Sequence, residues 1–98
     1  MNTRDRGALI VAPSTGGKPE TILSGGTHYT GGWSPDGSKL LFSEFRNGAW
    51  NISWVNRNTR QRQQLTILKK MRQFVRYPDW TMDGSKIAYE FSESTGNL

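Results

Sequence analysis

The sequence predicts an all-β protein of the propeller type, and three observations carry that prediction. The first is a repeat: Trp33-Ser34-Pro35-Asp36-Gly37-Ser38-Lys39-Leu40-Leu41-Phe42 returns 47 residues later as Trp80-Thr81-Met82-Asp83-Gly84-Ser85-Lys86-Ile87-Ala88-Tyr89. A self-similar unit of this length made of short strands marks a propeller blade. The second is punctuation, with 11 Gly and 4 Pro set between short apolar runs and no helical periodicity of useful length. The third is how the chain can bury itself. Hydrophobic residues are only 34% of it, yet four Trp, three Tyr and four Phe each bring a large apolar area. Ninety-eight residues suit one small domain and hold too few blades to close a ring.

The elements follow in order. Ser34-Pro35-Asp36-Gly37 is a turn with a mechanism: Pro35 presets φ, Asp36 accepts local amide hydrogens, and Gly37 tolerates positive φ. A strand over about 27–33 precedes it, and a hairpin partner over about 39–45 follows. Arg46-Asn47-Gly48 turns the chain into a strand from Ala49 to Asn56, with Trp50, Ile52 and Trp54 on one face and Asn51, Ser53 and Val55 on the other. After a polar loop, Gln63 to Ile67 is the expected fourth, outer strand. These four make one complete blade over about 27–67. The second copy supplies only an inner hairpin over about 74–92, with Ile87, Tyr89 and Phe91 alternating with Ala88 and Glu90, before a turn over Ser92 to Asn97. Its missing outer half matches the start of the chain. Gly7-Ala8-Leu9-Ile10-Val11 aligns with Gly48-Ala49-Trp50-Asn51-Ile52, and Lys18 to Leu23 with Arg62 to Thr66, giving an outer hairpin over about 7–23. The whole chain, 1–98, is one repeat module holding two blades' worth of strands, cut within a blade.

The Trp-Ser-Pro-Asp-Gly turn, the hydrophobic strand after it, the Gly-containing turn, the aromatic-rich strand and the closing Gln64-Leu65-Thr66 resemble the WD40-like repeats of TolB-type β-propellers. The same repeats occur in the propeller domains of prolyl oligopeptidase-like peptidases. The resemblance runs from Gly7 to Leu98, and the second copy departs from it with Thr81-Met82 in place of Ser-Pro. It implies a toroid, typically of six blades, that scaffolds protein contacts rather than performing chemistry. It also implies a periplasmic setting, which the residues themselves do not name.

Two blades alone leave broad apolar faces in water, and such repeats need about three neighbours for stability. The cut within a blade suggests a remedy, in which one copy's inner hairpin pairs with another's outer hairpin, head to tail. By the usual range of four to eight blades this gives a homotrimer of six blades as the favoured ring, otherwise a dimer or tetramer. Both termini are then expected to be tied down. The alternative is a fragment of a larger TolB-like or peptidase-associated propeller.

Chemistry is sparse. With no cysteine there is neither a disulfide framework nor a thiolate site. Ala8 to Ala12 is too short for a signal sequence or a membrane span, so no membrane insertion is expected. Ser34 begins like a nucleophile elbow, but Asp36 stands at the closing Gly position and no strand-to-helix context follows. Gly16-Gly17-Lys18 is followed by Pro19 where a phosphate loop needs Ser or Thr. No catalytic residue, metal site or cofactor is expected.

His28, Tyr77 and Asp79 are the channel candidates. His28, the single histidine, lies on an inner strand, where copies around a ring could converge on an anion or metal, against the plainer reading of a hydrogen-bonded imidazole. Trp33, Pro35, Asp36, Gly37, Trp80, Asp83 and Gly84 are assigned to the blade turns and their packing. Net charge is +5, and 45–78 holds no acidic residue. Arg57, Arg60, Arg62, Lys69, Lys70, Arg72 and Arg76 could therefore contact nucleic acid or another polyanion. They equally suit solvated outer strands and loops at opposite rims, and no nucleic-acid module pattern accompanies them.

Overall fold

The computed structural model describes residues 7–94. The expectation of tied-down termini, and the end of the turn expected through Asn97, lie outside the described residues. All regular structure between these limits is β-strand. The strands are β1 (Ala8–Val11), β2 (Glu20–Ser24), β3 (Thr27–Trp33), β4 (Lys39–Arg46), β5 (Ala49–Asn56), β6 (Arg62–Gln64), β7 (Gln73–Trp80) and β8 (Ile87–Glu93). They form three antiparallel sheets: the hairpin β1–β2, the meander β3–β4–β5–β6 and the hairpin β7–β8.

The four-stranded blade sits between the two hairpins because its central strand is apolar on both sides. In β4 every residue from Leu40 to Glu44 is buried. Successive side chains of a strand point to opposite faces, so this run needs cover on each. Leu40 and Phe42, with Val55 of β5, pack on Leu9 and Ile22 of the outer hairpin, helped by Val11 and Leu23. Leu41 and Ile52 pack on Val75 of the inner hairpin, with Trp50, Trp54, Leu65, Trp80 and Ile87 around them. The alternation read in β5 is thus the division of the core into two layers.

Close approach of the inner strands locks the second layer. A Cβ on Gly31 would lie 2.6 Å from Pro78 Cγ, and one on Gly32 would collide with Asp79 Oδ1. Only glycine lets β3 and β7 come this near. The contact is reinforced by Trp80, whose indole Nε1 donates to the Gly32 carbonyl at 3.1 Å. Both inner strands are bulged here, between Thr30 and Trp33 and between Arg76 and Asp79.

The outer strand differs from its expected length. β6 stops at Gln64, one more backbone bond follows from Leu65 N to the Ile52 carbonyl at 2.7 Å, and beyond it side chains continue the pairing. Ile52 N donates to Thr66 Oγ1 at 2.9 Å, while Asn51 Oδ1 accepts from Thr66 Oγ1 and Leu68 N, each at 2.7 Å. Asn51 Nδ2 also donates to the Leu68 carbonyl at 3.0 Å. One asparagine therefore fastens the segment that leaves the blade.

Removing either half of the two-sided core should be costly. Phe42→Ala is expected to destabilise by about 3–5 kcal/mol and Leu41→Ala by about 2–5 kcal/mol, whereas Met82→Ala, at a residue 97% exposed, should stay within about 0.5 kcal/mol. Urea titration of the three variants measures this. An effect at Leu41 no larger than that at Met82 would contradict burial on the second face.

Candidate functional site

The two repeat turns are built alike, atom for atom. Asp36 Oδ1 accepts from Ser34 Oγ at 2.7 Å, Ser38 N at 3.0 Å and Ser38 Oγ at 2.8 Å. Asp83 Oδ1 accepts from Thr81 Oγ1 at 2.8 Å, Ser85 N at 3.0 Å and Ser85 Oγ at 2.9 Å. Gly37 and Gly84 both have φ of +77°, and their amides donate to the Ser34 and Thr81 carbonyls at 2.8 and 2.9 Å. Thr81 replaces Ser34 without loss because the threonine hydroxyl makes the same bond. Pro35 packs against Gly84, its Cδ 3.2 Å from where a Cβ there would stand, so the two turns touch. Trp33 is partly exposed above the first turn, and Trp80 reaches back into the bulge of β3. The Ser34 hydroxyl, engaged by Asp36 and by Lys39 N at 3.0 Å, belongs to this turn.

His28 lies at the seam between the outer hairpin and the blade, its side chain only 2% exposed. Its Nε2 is 3.1 Å from Glu44 Oε2, and its ring meets Phe42 edge-on at 5.6 Å. Among the described residues its Nδ1 has no hydrogen-bond partner. Glu44 also holds Arg62 through Oε1, with Arg46 3.9 Å away, and the Arg62 guanidinium lies 5.4 Å over the Phe42 ring. A carboxylate this buried is costly unless paired, and here a guanidinium and an imidazole share it. Sequence reading passed over Glu44. Its signal was position: it shares an apolar face with Leu40 and Phe42, where a charge needs a reason.

Four of the candidate basic residues lie against carboxylates of the chain. Arg60 Nη2 is 2.8 Å from Glu20 Oε2 and Arg57 lies 4.0 Å from the same carboxylate, whose pKa is lowered, chiefly by the Arg60 hydrogen bond. Arg62 is held by Glu44, and Arg76 Nε is 3.2 Å from Glu90 Oε1 across the hairpin. Lys69, Lys70 and Arg72 lie on the exposed segment between β6 and β7.

An aromatic cleft opens between the blade and the inner hairpin. About 520 Å3 in volume, it is lined by Tyr29, Thr30, Trp50, Phe74, Arg76 and Tyr77, with Val75 as its floor. Tyr29 and Trp50 lie 5.5 Å apart with their planes tilted by 32°. Phe45 supports Trp50 from behind at 5.6 Å. Tyr77 is 72% exposed and sits in the left-handed region at φ of +54°, inside the bulge of β7. A bulky residue in that conformation costs roughly 1–2 kcal/mol. Arg76 stands 5.8 Å from the Tyr77 ring. Asp79, past the bulge, accepts from Trp80 N at 2.9 Å and packs on Gly32. Tyr77 and Asp79 are thus brought to one bulge, and His28 is placed at the other seam. Among the described residues, no three His, Cys, Asp or Glu side chains cluster as a metal site would require.

Two solved structures share this arrangement of strands. TolB from Acinetobacter baumannii matches with a TM-score of 0.72 and 24% identity over 91% of this chain and 21% of that one. A protein described as TolB from Agrobacterium tumefaciens matches with a TM-score of 0.70 and 23% identity, covering 93% of this chain and 35% of its own. The fold is that of a TolB-type β-propeller. At these identities the likeness is one of fold, and the chain spans between a fifth and about a third of the TolB chains it matches. No family model and no curated protein matches the sequence. The four-stranded sheet β3–β6 thus stands between the two-stranded sheets β1–β2 and β7–β8.

The turn aspartates should contribute to an acid limit of the fold. Asp36 is lowered from an ordinary 3.8 to about 2, first by the Ser34 hydroxyl and then by the Ser38 amide and hydroxyl. Asp83 falls likewise to about 2, through the Ser85 amide and the Thr81 and Ser85 hydroxyls. A carboxylate with a depressed folded pKa contributes stability that is present above the unfolded value and lost as pH falls through the folded one. Wild-type stability should therefore decline between about pH 4 and about pH 2. A D36N/D83N double variant should decline less over that window, as read by urea midpoints across it. Parallel curves would show that these carboxylates do not set the acid limit.

Proposed function

We propose that this chain is blade material of a larger TolB-like propeller, and that its work is to bind a protein or peptide, not to catalyse a reaction. The aromatic cleft carries this reading. It combines exposed Tyr29 and Tyr77, half-buried Trp50 and a cation at its rim, the composition that protein-binding surfaces favour. Backbone strain at Tyr77 supports it, because left-handed tyrosine persists where the ring's placement matters more than local stability. An extended peptide bearing an apolar side chain fits the cleft, with Arg76 beside it for a carbonyl or carboxylate. The non-catalytic reading draws on the same geometry. The Ser34 hydroxyl and the two turn aspartates are engaged in separate local networks, with no base presented to a nucleophile.

The polyanion reading is less well supported, since Arg57, Arg60, Arg62 and Arg76 each face a carboxylate of the chain itself. A second reading concerns how the ring is completed. The share of the TolB chains covered favours the remainder of a longer propeller. Exposed Ile10 and Phe91 favour completion by copies of this chain, with three giving six blades.

Selection of a displayed random-peptide library on the chain tests the cleft. Peptides recovered should lose about tenfold or more in affinity, about 1.4 kcal/mol, on Trp50→Ala or Tyr77→Gly. Tyr77→Gly should leave stability unchanged or raise it, since glycine relieves the positive φ. Peptides insensitive to both variants would place binding elsewhere. Duplex DNA bound with a steep salt dependence would restore the polyanion reading.

A further inference from the structure

The repeat predicts how two copies of the chain would meet, residue by residue. Within the complete blade, β4 and β5 pair as Arg46↔Ala49, Phe45↔Trp50, Glu44↔Asn51 and Ser43↔Ile52. In the repeat, β8 is the counterpart of β4, with Ile87, Tyr89 and Phe91 where Leu40, Phe42 and Glu44 stand. Likewise β1 is the counterpart of β5, with Leu9, Ile10 and Val11 where Trp50, Asn51 and Ile52 stand. Leu9, Val11 and Ile22 fill one core layer from the same side as Trp50, Ile52 and Leu65 fill the other. Yet among the described residues β8 pairs only with β7, and β1 only with β2. One edge of each lies open, and open edges are templates for pairing.

We propose that β8 of one copy pairs antiparallel with β1 of a second copy, Phe91 opposite Ile10 and Glu90 opposite Val11, completing a blade in the order β7–β8–β1–β2. This rests on the propeller reading of the fold, and its test uses residues outside the lining of the peptide cleft.

The occupant is chosen by a matched set of substitutions. In the complete blade, three neighbouring positions on one face are polar: His28, Glu44 and Asn51. Their counterparts are Val75, Phe91 and Ile10, all apolar. Two of these lie on the inner hairpin and the third on the outer hairpin, at the far end of the sequence. A polar cluster has been replaced by an apolar one in a consistent way only if the two hairpins share a sheet. Exposure agrees: Phe91 is 49% exposed, Ile10 54% and Tyr89 44%, whereas Glu44 and Phe42 are buried. In the composite sheet Tyr89, Phe91 and Ile10 would all turn toward the face of the complete blade that carries Trp50 and Trp54. A register slip of one residue would turn β1 over and expose that set instead.

The chain contains no cysteine, so engineered pairs report without background. The β4–β5 hairpin closes on the two-residue turn Asn47-Gly48, which makes Arg46↔Ala49 a hydrogen-bonded pair and Ser43↔Ile52 one of the closer, non-bonded pairs. Glu90↔Val11 inherits that closer geometry, within disulfide reach. Oxidising the full chain carrying E90C/V11C should yield covalent multimers, and light scattering of the wild type should give a small whole multiple of the chain mass. The slipped pair E90C/A12C should cross-link far less. F91D should reduce the mass to that of one chain, and should Phe91→Asp fail to fold, the cross-linking arm decides alone. A single-chain mass throughout the micromolar range, or equal cross-linking in the slipped pair, overturns the proposal. Persistent amide protection in β3–β6 of such a monomer would leave the propeller fold standing and remove only the pairing of copies.

Discussion

Five consecutive buried residues in one strand set the terms for the rest of the molecule. A strand with one wet face alternates, and Leu40 to Glu44 does not. Two layers must therefore flank β4, and with no helix available among the described residues both layers are hairpins from elsewhere in the chain. The sheet is held as a filling is held, by apolar contact from each side, and among the described residues neither hairpin has a second layer of its own. β8 shows the contrast. From Ala88 to Phe91, the counterparts of Leu41 to Glu44, its residues are exposed, because the hairpin has a blade on one side only and an open edge. Burial in this fold is a property of position in the stack as much as of sequence.

Register between the layers comes from backbone rather than from bulk. Gly31 and Gly32 remove the side chains that would hold β3 away from Pro78 and Asp79, and the Trp80 indole closes the gap with a hydrogen bond. The counterparts of that glycine pair are Pro78 and Asp79 themselves, so the second repeat presents bulk where the first presents none. The inner strands nest one way, glycine side to proline side. Such directional contacts are what make propeller blades stack head to tail rather than back to back.

Much of this was legible because the sequence states its unit twice. The Asp36 and Asp83 turns were legible in their acceptor and glycine, which recur at the same offsets, while the hydroxyl donors of Ser34, Ser38, Thr81 and Ser85 were not. The two faces of β5 followed from simple alternation. The end of β6 was not legible, because Thr66 and Asn51 replace ladder bonds with side-chain bonds, and propensity carries no record of that exchange. Nor was the cluster at Glu44. Arg62 looked like one more solvated cation, and His28 like a lining group for the channel. Their meeting depends on β3, β4 and β6 sharing one face, a relation across strands that single-residue chemistry does not express. Tyr77 was noticed but its backbone was not, because a positive φ inside a bulge leaves no mark in residue type.

The two seams of the blade are chemically unlike, and that difference restricts how such units can combine. On the side of the outer hairpin, a glutamate is held by arginine and histidine beside an apolar layer. On the side of the inner hairpin the layer is apolar and aromatic, walled by Trp50, Trp54, Trp80 and Ile87. Exchanging the two hairpins would set Tyr89 and Phe91 against the Glu44 cluster, covering the Arg62–Glu44 pair with apolar rings while the pair itself stayed within the blade. Burying charged groups against surfaces that offer them no hydrogen bonds is costly even when they remain paired. Specificity here comes from what the wrong arrangement would strand as much as from what the right one gathers.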